Sequence, residues 1–142
     1  MTTQVEAKIT IAKLIEIAYE KNSGITTKLL RNKGNFKITV DENGNATLSG
    51  NIGMLTFKAD SALIILGKKV KNVSIFFTKG EGGGIKYTAM FKLVDVASIS
   101  VSGFFDAEKL IFSCGGLLCK AARALKGRHR AYDLELQRIM GH

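Results

Sequence analysis

The middle of the chain consists of short runs in which apolar and polar residues alternate, and this pattern restricts the fold more than any other feature. Phe36, Ile38 and Val40 begin the series, and Asn43-Gly44 follows as a strong hairpin signal. The chain contains no proline, which would remove hydrogen-bond donors from a strand ladder. Alternation with period two therefore predicts an antiparallel sheet.

Further strand-like runs follow the hairpin and are separated by turns, the clearest of which is the glycine-rich segment 79–84. The runs are the return strand with Leu48, Gly50, Ile52 and Met54, and then residues 61–66, 70–78, 85–94 and 97–103. In the last run Ala97, Ile99 and Val101 alternate with serines, which predicts one buried and one polar face. We therefore expect a meander of about five or six strands.

Helical spacing is found at both ends of the chain. After a short predicted strand at 5–9, Thr10 is a candidate N-cap for a helix over 11–22, and Ser23-Gly24 is predicted to end it. Asp106 can cap a long final helix over 107–140. The apolar stripe of that helix contains Leu118, Ala121, Ala122, Leu125, Tyr132, Leu136 and Ile139.

These patterns predict a single α+β domain over residues 1–142. Its curved antiparallel meander is expected to pack its apolar face on the long C-terminal helix, with a short helix at the N-terminus.

The chain is strongly basic, with 21 Lys and Arg against 12 Asp and Glu, for a net charge of +9. Such an excess favours polyanionic partners, either nucleic acid or anionic lipid. The polar side of the final helix provides candidate contacts: Lys120, Arg123, Lys126, Arg128 and Arg130. The competing interpretation is that these residues form only the solvated back of an amphipathic helix.

No catalytic or metal-binding motif is present. The glycines at 79–84 lack the Gly-Lys-Ser/Thr of a phosphate loop, and the two histidines, His129 and His142, have no partners at ligand spacing. Cys114 and Cys119 fall on different sides of the predicted helix, which argues against a disulfide. We expect a protein without enzymatic activity, cofactor or metal.

The N-terminal segment 1–10 lacks the basic and apolar regions of a signal peptide, and the longest apolar run, 62–66, is too short to cross a bilayer. A cytoplasmic location is the default expectation. Export stays open, because a chain whose signal peptide has been removed would look the same. The sequence leaves the oligomeric state undetermined.

The order of one helix, a long meander and a long amphipathic helix resembles the tubular lipid-binding (TULIP) superfamily, in particular its small bacterial lipoprotein branch. Residues 8–128 carry the resemblance, through the Thr-Leu-Ser-Gly strand at 47–50, the glycine-rich hairpin and the segment 92–99 before the helix. The resemblance implies a sheet wrapped around a long helix, with an apolar groove for lipid chains. The lipobox of that branch is missing, and residues 127–142 add more charge than its pattern needs.

The meander also has more alternating apolar residues than a sheet with one short helix would need, which favours a concave apolar site. We expect non-enzymatic binding of a lipid or similar apolar ligand between sheet and helix, with an anionic membrane surface as an additional partner. The candidate groove residues are Ile52, Met54, Phe76, Phe91, Leu118 and Leu125.

Two alternatives remain open. The first is a basic nucleic-acid-binding protein, whose sheet would show aromatic residues interleaved with lysine on one face. The aromatic residues available for this are Phe76, Phe77, Tyr87 and Phe91, which fit a core equally well. The second is a protein-interaction module that uses the final helix.

Overall fold

A computed structural model describes residues 3–32, 35–59, 64–65, 68–93 and 98–115. Two helices, α1 (Thr3–Lys21) and α2 (Ser23–Arg31), precede seven strands, and α3 (Ala107–Gly115) follows them. The strands are β1 (Phe36–Val40), β2 (Asn45–Gly50), β3 (Gly53–Lys58), β4 (Ile64–Ile65), β5 (Lys68–Lys79), β6 (Gly84–Leu93) and β7 (Ile99–Asp106). The predicted α+β class and the antiparallel sheet are confirmed.

The strands do not form the single meander that the sequence predicted. Their order is β3-β2-β1-β5-β6-β7, and the two-residue β4 pairs with β5 outside this path. Two three-stranded meanders are joined where β1 pairs with β5, from Phe36↔Phe77 to Val40↔Val73. The predicted return strand from Leu48 to Met54 is two strands, because a turn at 51–52 reverses the chain between β2 and β3.

The helix that covers the apolar face of the sheet is α1. Buried residues lie on several sides of this helix, and one stripe of them, at steps of three and four, consists of Ala7, Ile11, Leu14, Ile15 and Ala18. They join the buried strand residues in one core cluster, while α2 and α3 also contact α1. The N-terminal helix is therefore the main packing element of the fold.

This arrangement corrects three predictions. The packing of the sheet on a long C-terminal helix is wrong, since α1 occupies that position; α3 is described to Gly115, and residues 116–142 lie outside the described residues. The N-terminal helix is not short but contains 19 residues. The strand predicted at 5–9 is the first part of α1, because five alternating residues fit a helix and a strand equally well.

The inner face of the sheet, which packs on α1, contributes the largest buried side chains. Phe36 and Phe77, which are register partners on β1 and β5, stack with 4.4 Å between ring centroids. The ring centroids of Tyr87 on β6 and Phe105 on β7 lie 5.0 Å apart. Full burial of a large apolar side chain contributes about 1.5–3 kcal/mol, so these pairs and α1 stabilise the sheet together.

The helix α2 was not expected, because Ser23-Gly24 reads as a helix stop. In the structure Asn22 begins a new helix: its Oδ1 accepts the backbone N–H of Ile25 at 3.1 Å. The predicted cap at Asp106 is confirmed, since its Oδ1 accepts the N–H of Lys109 at 3.1 Å. The hairpin at Asn43-Gly44 and the turn at 79–84 are confirmed as the β1–β2 and β5–β6 connections.

Candidate functional site

Every second strand residue points away from α1 and forms what we call the outer face of the sheet. Burial alternates along β1, β3 and β6, so the outer residues are those between the core positions. The outer face contains Lys37, Thr39, Asn45, Thr47, Ser49, Met54, Thr56, Lys58, Asn72, Ser74, Phe76, Thr78, Lys86, Thr88, Met90, Lys92, Ser100, Ser102, Phe104 and Asp106. The outer face thus combines hydroxyl and ammonium groups with a few large apolar side chains.

Strand register aligns these residues in rows that cross the six strands of the path from β3 to β7. One row consists of Met54, Ser49, Lys37, Phe76, Thr88 and Ser102. The next row consists of Thr56, Thr47, Thr39, Ser74, Met90 and Ser100. Neighbours within a row have Cβ atoms about 4.5–5.5 Å apart, so adjacent side chains are close enough to contact one ligand group together.

Two phenylalanines of the outer face are exposed, and each has a lysine beside it. Phe76 on β5 is 54% exposed and is the register partner of Lys37 on β1. Phe104 on β7 is 58% exposed and is the register partner of Lys86 on β6. The two rings are two strands and two residues apart, which corresponds to roughly 12 Å between their Cα atoms.

The charge of the strands is almost entirely positive. Their one acidic residue is Asp106, at the end of β7, and their lysines are Lys37, Lys58, Lys68, Lys69, Lys71, Lys79, Lys86 and Lys92. Among the described residues, none of Lys37, Lys86 and Lys92 forms an ion pair. On the outer face Lys37, Lys58, Lys86 and Lys92 outnumber the single carboxylate Asp106, so the described part of this face has a net positive charge.

A shallow cleft of about 360 Å³ lies where β1, β2 and β5 meet at one end of the outer face. Its lining includes Phe76, Lys37, Ser49 and Thr78 of the outer face, and also Asn35, Phe36, Gly50 and Phe77. A planar ligand could stack on the ring here, while the ammonium and the hydroxyls supply hydrogen-bond donors and acceptors.

The structure does not bring together the described members of the predicted groove. Met54 and Phe76 lie on the outer face, three strands apart in one row, whereas Phe91 is 0% exposed in the core. Ile52 lies at the β2–β3 turn, in a separate cleft of about 720 Å³ that Lys28 and Arg31 also line.

The remaining predicted site residues lie outside the described residues: Leu118, Leu125, Lys120, Arg123, Lys126, Arg128 and Arg130. Cys119 and both histidines also lie there, so the prediction of two unbridged thiols stays a prediction. Within the described ranges, no group of three or more His, Cys, Asp or Glu residues is placed to hold a metal. None of the described helices combines the length and apolar character needed to cross a membrane.

The outer phenylalanines were only half recognised from the sequence. Of the four aromatics considered for a sheet surface, Phe77, Tyr87 and Phe91 are buried and Phe76 is exposed. Phe104 is not among these four candidates. Its alternation with Ser100 and Ser102 could have placed it on the outer face.

Comparison with family models, curated proteins and solved structures found no match for this chain. The resemblance to the TULIP superfamily therefore stays a prediction.

Proposed function

We propose that the protein binds single-stranded nucleic acid on the outer face of its sheet, without catalysing a reaction. The observation that carries the proposal is the juxtaposition of an exposed ring and an ammonium group at Phe76 and Lys37. A base stacks on the ring, and the ammonium neutralises the adjacent phosphate. Known RNA-binding modules also use sheet faces with exposed aromatic side chains to stack bases.

The rest of the outer face extends the same chemistry. Phe104 and Lys86 repeat the pairing of ring and cation in the neighbouring row, one step nearer the β5–β6 hairpin. The threonine and serine hydroxyls between them donate and accept hydrogen bonds to bases and sugars. Because stacking accepts any base, this mode of binding has little sequence preference.

An anionic membrane is the competing partner for a basic face with exposed apolar groups. On this sheet, however, Met54 and Phe76 are separated by Ser49 and Lys37 within their row. Inserting these side chains among lipid chains would also bury hydroxyl groups, which costs free energy where no hydrogen-bond partner replaces water. A hydrogen-bonding polyanion fits this mixture better.

The test compares Phe76→Leu with Met90→Leu. Leucine keeps an apolar side chain at position 76 and removes the ring, while Met90→Leu changes an exposed apolar residue of the same face that has no ring. Fluorescence anisotropy with a labelled oligothymidylate should show affinity lower by roughly 5- to 150-fold for Phe76→Leu, since stacking contributes about 1–3 kcal/mol per base. Met90→Leu should stay within about twofold of the wild type.

Vesicles that contain phosphatidylserine provide the second arm of the test. If the wild type binds these vesicles and not the oligonucleotide, the outer face is a membrane surface and the proposal is wrong. The proposal also fails if Phe76→Leu binds the oligonucleotide as tightly as the wild type does.

A further inference from the structure

Lys8 is a buried amine on α1 without a carboxylate partner in the described part of the chain. The residue is 9% exposed, and its Nζ lies 5.3 Å from the centroid of the Phe105 ring. Among the described residues, no Asp or Glu lies within ion-pair distance of this nitrogen. Lysine is rarely buried this deeply unless an anion pairs with it.

This amine lines a cleft of about 690 Å³ at the end of the sheet, beside the β5–β6 hairpin. Two further lysines, Lys79 and Lys86, line the same cleft. Gly80, Gly82 and Gly84 supply backbone without side chains, so a ligand can approach the main chain closely. The cleft is thus lined by three lysines, which come from one helix and two strands.

Two carboxylates also line the cleft, and neither neutralises Lys8. Asp106 is the N-cap of α3, where its Oδ1 accepts the N–H of Lys109. Glu81 is exposed at the hairpin. Burial lowers the pKa of Lys8 below its ordinary value, as expected for an ammonium that lacks a counter-charge.

We propose that this cleft is a binding site for a phosphate group, with Lys8 as its innermost cation. A phosphate offers several acceptor oxygens and up to two negative charges, which suits three lysines better than a single carboxylate would. Phosphate binding would supply the counter-charge that the described residues do not give Lys8. The site goes beyond the proposed function, because a free phosphate compound could occupy it without any nucleic acid.

The position of the cleft also links it to the outer face, since Lys86 and Phe104 belong to both. A single-stranded nucleic acid whose terminal base stacks on Phe104 would have its terminal phosphate close to Lys8. The same site could thus hold the terminal phosphate of a nucleic acid or the phosphate of a small compound, and the experiment separates these two sources.

Isothermal titration calorimetry with inorganic phosphate and with a nucleoside 5′-monophosphate tests the site. Lys8→Met keeps the length and apolar character of the stem and removes the charge, so the fold should persist with an unchanged or higher melting temperature. Its dissociation constant for both probes should rise at least about tenfold, because hydrogen bonds to charged groups are the strong ones. Lys21→Met, an exposed position about 20 Å along the same helix, is the matched control and should bind like the wild type.

Lys86→Met is a second variant at an exposed position, and it should also weaken binding. The proposal is overturned if the wild type binds neither probe, or if Lys8→Met and Lys86→Met bind both as the wild type does.

Comparing 5′-phosphorylated and 5′-hydroxyl oligonucleotides then identifies the source of the phosphate group. A preference for the phosphorylated strand that Lys8→Met abolishes assigns the cleft to strand ends; phosphate binding without that preference assigns it to small phosphate compounds. Failure of all oligonucleotide binding would refute the proposed function while leaving the phosphate result intact.

Discussion

Tyr87 shows how one residue of the core depends on its cross-strand neighbour. It lies on the inner face of β6, opposite Gly103 on β7, and is 1% exposed. A Cβ atom at position 103 would lie 2.5 Å from the Tyr87 hydroxyl oxygen, so only glycine leaves room for the ring. Burial raises the pKa of Tyr87 to about 12.

This shift predicts a loss of stability in alkaline solution. Below the unfolded-state pKa of about 10, Tyr87 is neutral in both the folded and the unfolded state and its contribution is fully present. Between pH 10 and 12 the unfolded chain releases the proton and the folded chain retains it, which lowers the free energy of unfolding by about 3 kcal/mol. Denaturant unfolding of wild type and Tyr87→Phe across this range should show the smaller loss for Tyr87→Phe.

Tyr19→Phe is the matched control, since Tyr19 is only partly buried on α1. The free energy of unfolding of this variant should depend on pH in the same way as that of the wild type. Equal losses for wild type and Tyr87→Phe would show that the Tyr87 ring is not held in a dry core.

The side of the sheet on which each aromatic residue lies could be derived from the sequence by period two alone. Val73, Ile75 and Phe77 alternate with Ser74 and Phe76, so the two adjacent phenylalanines must lie on opposite faces. The polar serines before Phe104 place it on the outer face in the same way. Which phenylalanine has a lysine beside it depends on cross-strand register, and the alternation within one strand does not contain that information.

At the scale of elements, the β1–β2 hairpin is held by one carboxylate. Asp41 Oδ1 accepts the backbone N–H groups of Asn43 and Asn45, each at 2.9 Å. These hydrogen bonds, with that from Asn45 first, and the charge of Lys58 hold the pKa of Asp41 below its usual value. Gly44 takes a positive φ of 82° that completes the reversal.

Asp41 should therefore stabilise the hairpin in neutral solution and not in acid. A carboxyl group with a lowered folded-state pKa contributes stability that is present above its unfolded-state pKa, near 4, and is lost as the pH falls through the folded-state value. Asp41→Ala should lower the melting temperature at pH 7, and the difference from wild type should narrow below about pH 4. Glu81→Ala, in the β5–β6 hairpin, should change neither the melting temperature at pH 7 nor its dependence on pH. A difference that persists unchanged in acid would mean that the charge of Asp41 has no part in the effect.

The sequence predicted the local elements better than their partners. Both hairpins and the cap at Asp106 follow from residues close together in the chain. The pairing of β1 with β5 joins residues more than thirty positions apart, and all the runs have the same alternation, so no local pattern selects it. The predicted final helix has the longest apolar stripe, and for this reason the pattern favours it as the packing partner of the sheet. Several elements contact α1, so its buried residues are spread around the helix and form a less obvious stripe.

For the molecule as a whole, the important feature is where the positive charge lies. Helix α1 is balanced, with Glu6, Glu16 and Glu20 against Lys8, Lys13 and Lys21. The strands instead have the eight lysines and the single acidic residue described above. Four of these lysines, Lys37, Lys58, Lys86 and Lys92, lie on the outer face, so this face attracts a polyanion toward its exposed rings.

This distribution predicts how oligonucleotide affinity responds to salt. Each phosphate that a lysine neutralises on a single strand releases condensed counterions and contributes about 0.7 to the slope of log affinity against log salt. Lys37 lies beside Phe76 and has no ion pair among the described residues, so Lys37→Gln should reduce the slope by about that amount. Lys28→Gln removes the same charge from the exposed surface of α2, away from the outer face, and should leave the slope unchanged. Anisotropy titrations of the wild type and both variants over a salt series provide the measurement. If both variants reduce the slope equally, the interaction reflects only the net charge of the protein, and the outer face has no special part in it.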